Sequence, residues 1–129
     1  MEDVYVVYGL DYICWDDWID LIAQPDFIEV FASYDEALAC FKKRCLKAAK
    51  YPELGFDPIF PDLSDEEIFV DQEERYEELY EENPDNDLFI HYHNWGSSIE
   101  WWIFAHEDSM HYDGTALPRI FLQKTALKK

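Results

Sequence analysis

The sequence predicts an α+β fold, with helices packed against a mostly antiparallel sheet of about four to five strands. Strand patterns lie towards both ends of the chain, and two helical patterns lie between them. The chain has 129 residues, of which 49% are hydrophobic and 18% are aromatic. A single domain covering residues 1–129 can therefore bury a dense core, and a disordered acidic tail is excluded.

The N-terminal part of the chain contains two segments rich in β-branched and aromatic residues. Residues 4–8 (Val-Tyr-Val-Val-Tyr) predict a first strand that ends at Gly9, and residues 27–31 (Phe-Ile-Glu-Val-Phe) predict a second. Between them, residues 10–24 fit both a helical apolar stripe and the alternation of a strand, so their structure stays open. Pro25 ends either element.

Two segments carry the pattern of a helix start, in which a serine is followed three residues later by a glutamate. Ser33 begins Ser-Tyr-Asp-Glu, and Ser64 begins Ser-Asp-Glu-Glu. In such a capping box the hydroxyl accepts a backbone amide while the glutamate reaches back. Apolar residues then recur at helical spacing. We therefore predict two main helices, at about residues 34–51 and 65–82.

A β-hairpin is predicted in the C-terminal part of the chain. Residues 88–93 form its first strand, Gly96 and Ser97 form a two-residue turn, and residues 98–105 return antiparallel. Residues 119–123 predict a further strand. Because alternate side chains of a strand point to opposite faces, the register assigns one set to the core face. That set is Ile90, Tyr92, Ile99, Trp101 and Ile103.

The main functional signal in the sequence is its charge. Asp and Glu number 29 against 10 Lys and Arg, which gives a net charge of −19 and a pI of about 4.2. Nucleic-acid-binding proteins carry basic patches, so direct binding to DNA, RNA or an anionic membrane surface is disfavoured. A basic protein partner is favoured, and electrostatic attraction would steer the association.

Other features predict where the protein resides. No apolar segment approaches the roughly 20 residues of a membrane-spanning helix. The start, Met-Glu-Asp, lacks the basic region of a signal peptide, and three irregularly spaced cysteines make no disulfide framework. The sequence therefore predicts a cytoplasmic protein, in which Cys40 and Cys45 are small core residues.

The predicted second helix is strongly acidic, with ten acidic residues and only Arg75 as a base between positions 65 and 82. Like charges four residues apart repel by roughly 0.2–0.5 kcal/mol per pair, which is a local cost without a local gain. Two alternatives are a solvated face that maintains solubility and pairing with the basic run at residues 42–50, within the chain or across a homodimer. The candidate partner-binding carboxylates are Glu67, Asp71, Glu74, Glu77, Glu78, Glu81 and Glu82.

Two tryptophans are further candidates for partner contact. Trp95 and Trp102 are expected on the sheet face opposite Trp101, because neighbouring residues of a strand point in opposite directions. Trp is a frequent anchor of protein interfaces, so both are predicted to bind the partner. Alternatively, residues 10–24 or the C-terminal tail cover this face.

Histidines on the hairpin raise the question of a metal or catalytic site. His91 and His93 share one strand face, Glu100 lies opposite His93, and His106 lies farther along. Such a set can bind Zn²⁺ or hold a general base. No metal, catalytic or phosphate-binding motif accompanies it, and packed or exposed histidines are the commoner case. We therefore predict no catalytic residue, no metal and no cofactor.

The acidic stretch from Ser64 to Glu82 and the ten acids of residues 1–39 carry a resemblance of composition and layout. The chain resembles the small acidic proteins that phages and other mobile elements make against host defence: anti-restriction and anti-CRISPR inhibitors, many of them DNA mimics. The opening, Val4-Tyr-Val-Val-Tyr8 followed by Phe31-Ala-Ser-Tyr-Asp-Glu-Ala37, is similar to strand–strand–helix openings of small phage proteins. These inhibitors share no common motif, so no site residue carries over, and the basic run departs from a uniformly acidic mimic.

These observations lead to one hypothesis and three alternatives. The protein is expected to be a non-catalytic inhibitor whose acidic helix occupies the basic nucleic-acid channel of a host nuclease or CRISPR effector. It would act in the cytoplasm of the host cell if a phage encodes it. The alternatives are an immunity or antitoxin-like protein that neutralises a basic toxin, an acidic scaffold domain, and an enzyme that uses the histidines.

Overall fold

The structure, a computed structural model, describes residues 3–15, 18–21, 27–50, 63–85, 88–108 and 116–126. Three strands precede the helical elements and three strands follow them, which is an α+β arrangement and confirms the predicted class. The elements are β1 (Asp3–Trp15), β2 (Trp18–Leu21), β3 (Phe27–Phe31), α1 (Tyr34–Lys50), a 3-10 turn (Glu67–Phe69), α2 (Tyr76–Glu82), β4 (Leu88–Asn94), β5 (Ser98–Ala105) and β6 (Ala116–Ala126).

All described strand pairs are antiparallel, and they form one sheet in the order β2–β1–β6–β5–β4. The long strand β1 pairs with β6 on one side and, on its other side, with β3 near its start and β2 near its end. Six strands therefore occupy five positions across the sheet. Strand β4 forms one edge, with β5 as its only strand partner among the described residues.

The prediction that Gly9 ends the first strand is wrong, because β1 continues to Trp15. Gly9 lies opposite Phe27 of β3, and a Cβ atom at Gly9 would lie 2.5 Å from a ring carbon of Phe27. The glycine is needed where the phenylalanine ring crosses the neighbouring strand. The open question of residues 10–24 is answered for residues 10–15 and 18–21, which are strand; the remainder lies outside the described residues.

One face of the sheet packs against α1, and we call it the α1 face. One of the two bonds of the predicted capping box at Ser33 is present in the described structure, with the Ser33 hydroxyl accepting the Glu36 amide at 3.4 Å. Buried side chains then recur every four residues along α1, and the predicted helix 34–51 is confirmed as far as Lys50. They are Ala37, Phe41, Cys45 and Ala49, which meet Val7, Ile90, Ile99, Trp101, Ile103, Ile120 and Leu122 of the sheet.

The hairpin has the predicted turn and register. Gly96 adopts a positive φ of 81° at the turn, and Tyr92 lies opposite Trp101 as expected. The predicted core face of the hairpin is also correct, since Ile90, Ile99, Trp101 and Ile103 are fully buried.

The prediction of a continuous helix at residues 65–82 is wrong. The capping box at Ser64 forms, with the Ser64 hydroxyl accepting the Glu67 amide at 3.2 Å and the Glu67 carboxylate accepting the Ser64 amide at 3.0 Å. It begins only a 3-10 turn, after which the backbone is extended at Val70 (φ −112°, ψ 123°). A helix resumes only at Tyr76, as the seven-residue α2.

The edge of β4 supplies the physical reason for this break. The Gln72 amide donates to the Ile90 carbonyl at 2.8 Å, and the Ile90 amide donates to Oε1 of Gln72 at 2.9 Å. The Tyr92 amide donates to Oδ1 of Asp71 at 2.7 Å. These bonds satisfy backbone groups of an edge strand that a continuous helix would leave unpaired.

Residues 63–85 therefore cross the sheet edge as a strap, which we call the acidic strap. On the α1 face, Ile68 is buried and its carbonyl accepts the indole N–H of Trp101 at 2.7 Å. On the opposite face, which we call the outer face, the ring of Tyr76 in α2 packs edge-on against Phe89 and Phe104. Within the described ranges, no helix is long and apolar enough to cross a membrane.

Candidate functional site

Aromatic and cationic side chains form a row on the outer face. The ring of His91 stacks on Trp102 at 3.5 Å between centroids, and His93 stacks on Trp95 at 5.1 Å. The Arg119 guanidinium lies 4.3 Å from the Trp102 ring centroid on β5. Strand alternation explains the row, because His91, His93, Trp102 and Arg119 occupy outward positions of β4, β5 and β6, and Trp95 lies two residues after His93.

The two predicted tryptophan contacts differ in accessibility. Trp95 follows β4 at the tip of the hairpin and is 61% exposed, so its ring is open to a partner. Trp102 is half-buried against His91 and Arg119. Arg119 contacts Trp102 from the neighbouring strand β6 of the same sheet, so coverage of this face by the C-terminal tail or by residues 10–24 stays a prediction.

The strap brings two carboxylates to the hairpin histidines. Oε2 of Glu73 lies 2.7 Å from Nδ1 of His91 and 3.6 Å from Nε2 of His93. Oδ1 of Asp71 lies 3.7 Å from Nδ1 of His91 and 4.0 Å from Nε2 of His93. One donor atom from each of the four residues lies within 4.8 Å of all the others, which makes this a candidate ligand set for a metal ion. We call it the His–carboxylate cluster.

A fifth side chain orients the buried histidine. Nε2 of His91 lies 3.2 Å from Oε1 of Glu100, which stands on the neighbouring strand β5. The His91 side chain is only 7% exposed. Its Nδ1 is buried and forms no hydrogen bond among the described residues, since the nearby Glu73 oxygen lies off the N–H direction.

Sequence reasoning found half of this cluster. His91, His93 and Glu100 were identifiable because strand alternation and the hairpin register place them together. Glu73 was missed, and Asp71 was predicted to face a partner instead of β4. His106, the third histidine of the predicted set, lies apart and stacks on Tyr80 at 3.9 Å between centroids.

The strap also presents the predicted acidic surface. Asp71 is turned inwards, with 27% of its side chain exposed. No Lys or Arg of the described segments lies within ion-pair distance of the other predicted carboxylates. They are all exposed: Glu67, Glu74, Glu77, Glu78, Glu81 and Glu82. Burial, followed by the negative charges of Glu77 and Glu107, raises the pKa of Tyr76 at the start of α2.

Arg44, the arginine of the basic run on α1, does not form an ion pair with the acidic strap in the described structure. Arg44 instead pairs with Glu29 of β3 at 3.1 Å, so the pairing alternative is wrong for this residue within the chain. The Cys40 thiol donates a hydrogen bond to the same carboxylate. Burial, with the adjacent Glu29, raises the pKa of Cys40 to about 11, while Cys45 is fully buried. Both thiols are therefore largely protonated at neutral pH.

Comparison with known proteins assigns no family. No protein-family model, curated protein or solved structure matches this chain. Function is therefore inferred from the geometry and charge of the described residues.

Proposed function

We propose that this protein is a non-catalytic acidic inhibitor. It binds the basic nucleic-acid-binding surface of a host defence nuclease, a CRISPR effector or a restriction enzyme, and blocks the access of nucleic acid. The observation that carries the proposal is the set of six exposed strap carboxylates without a Lys or Arg partner among the described residues. They belong to a chain with a net charge of −19.

Solubility alone does not account for this charge. A small domain remains soluble with a net charge of magnitude roughly 2–8, well below the value found here. The like-charged residues of α2 also repel one another, since Glu77 and Glu81 lie four residues apart, as do Glu78 and Glu82. A basic partner surface would neutralise these carboxylates and relieve the repulsion on binding.

A nucleic-acid-binding surface is the favoured kind of basic partner. Such surfaces present Lys and Arg along a groove that follows successive phosphates. Exposed carboxylates lie before α2, at Glu67 and Glu74, and along α2 itself. The negative charge therefore extends along the strap from Glu67 to Glu82. The exposed ring of Trp95 supplies an apolar contact beyond charge.

The first test is binding to purified CRISPR effectors and restriction nucleases, with and without their nucleic acids. Affinity measured at about 0.1 M and about 0.5 M salt should fall with salt, because the Debye length shortens from about 10 Å to less than half of that. Competition by nucleic acid is also expected. No binding to any panel member at the lower salt would contradict the proposal and direct attention to a basic toxin or a scaffold role.

Charge reversal then tests the strap itself. The double variant Glu74→Lys/Glu78→Lys should weaken binding by about tenfold or more, since each reversal replaces attraction by repulsion. Its matched control is Asp35→Lys/Glu36→Lys at the exposed start of α1. Each pair changes the net charge by four, from −19 to −15. Equal affinities of the two variants would exclude the strap as the binding surface.

A further inference from the structure

The geometry points to a zinc site formed by Asp71 and Glu73 of the strap and His91 and His93 of β4. The site would be structural: four protein ligands close the coordination sphere and fasten the strap to the sheet edge. This inference is independent of the proposed inhibitor function, because it concerns only ligands within this chain.

The distances between donor atoms fit tetrahedral zinc. Zinc binds imidazole nitrogen and carboxylate oxygen at about 2.0–2.2 Å, which places tetrahedral ligand atoms about 3.4 Å apart. The four distances that join the histidine nitrogens to the carboxylate oxygens are 2.7, 3.6, 3.7 and 4.0 Å. They bracket the expected edge, so coordination requires only small adjustments of the four side chains.

The buried Nδ1 of His91, which lacks a hydrogen bond in the described structure, is a second observation. Nδ1 is buried in a side chain that is more than nine-tenths covered, yet it forms no hydrogen bond among the described residues. The carboxylate oxygens of Asp71 and Glu73 lie 3.7 and 2.7 Å from it. When Nε2 carries the imidazole proton, Nδ1 keeps an unused lone pair close to these anionic oxygens, and a bound cation would turn their repulsion into coordination.

The surroundings of His91 match those of a metal ligand. A histidine that coordinates through one nitrogen usually donates its other N–H to a carboxylate, which fixes the tautomer and the ring orientation. Glu100 occupies that position, 3.2 Å from Nε2 of His91. Glu100 is therefore a positioning residue of the site.

The ligand chemistry selects the class of metal. Calcium and magnesium prefer sites made entirely of oxygen, whereas imidazole favours zinc and other late transition metals. Two carboxylates neutralise the charge of one divalent ion. A zinc ion can reach the cluster from solvent, because the side chains of His93 and Glu73 are 39% and 55% exposed.

Zinc binding is measured by titrating the full-length metal-free chain with zinc against a chromogenic chelator. One zinc ion per chain is expected, and His93→Ala should lower the affinity by about 100-fold or more. Glu100→Gln should lower it by roughly 10–100-fold, as expected for a positioning partner. Zinc should also raise the Tm of the wild type more than that of His93→Ala, because an ion that binds only the folded state stabilises it in proportion to its affinity.

Two matched glutamate variants distinguish zinc binding at this site from non-specific zinc binding to acidic side chains. Glu73→Gln removes a ligand, whereas Glu78→Gln removes the same charge from α2 outside the cluster. Loss of zinc binding in the first variant alone supports the site. Absence of stoichiometric zinc binding by the wild type, or equal binding by Glu73→Gln and Glu78→Gln, would overturn the inference. Because Glu73 is exposed, its variant tests the site even where a histidine variant fails to fold.

Discussion

At Ser33 and at Ser64 the chain makes the same local contact, a serine hydroxyl that accepts the amide three residues later, at 3.4 Å and 3.2 Å. After Ser33 the backbone continues as the 17-residue helix α1. After Ser64 it makes a three-residue turn, becomes extended and runs along the edge of β4. Similar starts thus lead to different structures, although only Ser64 has the reciprocal bond from its glutamate, and the cause lies in the residues downstream of each serine.

Tertiary partners decide the difference. Along α1, four side chains at a spacing of four residues are almost completely buried against the sheet, so continuing the helix gains apolar contact at each turn. In the strap only Ile68 is fully buried, and a helix would place Glu67 and Asp71 on one face, where they repel. Pairing with β4 through Asp71 and Gln72 is the better alternative.

The largest effect should come from the buried side of α1. Phe41→Ala removes a ring that is 1% exposed and should lower the free energy of unfolding by about 3–5 kcal/mol. Leu79→Ala removes a half-buried side chain of α2 and should cost less than half as much. Urea denaturation of both variants measures the two losses. Equal losses would mean that α2 contributes to the core as strongly as α1 does.

The second effect concerns the edge contact that interrupts the predicted helix. Gln72→Ala leaves the Ile90 amide without its acceptor and should destabilise the protein by about 1–3 kcal/mol. Amide hydrogen exchange at Ile90 should accelerate at the same time. Glu74→Ala is the control, because this neighbouring side chain is exposed and makes no hydrogen bond with β4 in the described structure. The same exchange rate at Ile90 in both variants would refute the anchoring role of Gln72.

Local patterns in the sequence account for the parts of the fold that depend on near neighbours. The first capping box and apolar stripe predict α1, and Gly96 with strand alternation predicts the hairpin and its register. The same register brings His91, His93 and Glu100 together. These predictions succeed because all the interacting residues lie within one or two adjacent elements.

The remainder depends on contacts that no local pattern reports. Asp71 reaches Tyr92 across 21 positions of sequence, so the strap and half of the His–carboxylate cluster depend on the exposed edge of β4. Gly9 similarly lies within a strand, where the absence of a side chain leaves room for the ring of Phe27 on β3. The inhibitor hypothesis stays a prediction, since charge specifies the kind of partner and not its identity.

The smallest expected effect is the loss of stability when either capping serine is replaced. The two variants should differ in helical signal, because the serines begin different elements. Ser33→Ala and Ser64→Ala should each cost about 1 kcal/mol, because each leaves a backbone amide without its side-chain acceptor. Only Ser33→Ala should reduce the helical signal in far-UV circular dichroism, since it frays the first turn of a long helix while Ser64 begins a three-residue turn. Ser97→Ala is the control, as its exposed hydroxyl makes no hydrogen bond within the described residues. An equal loss of helical signal in both cap variants would mean that residues 65–75 are helical in solution, and the edge contacts of Asp71 and Gln72 would then lose their explanatory role.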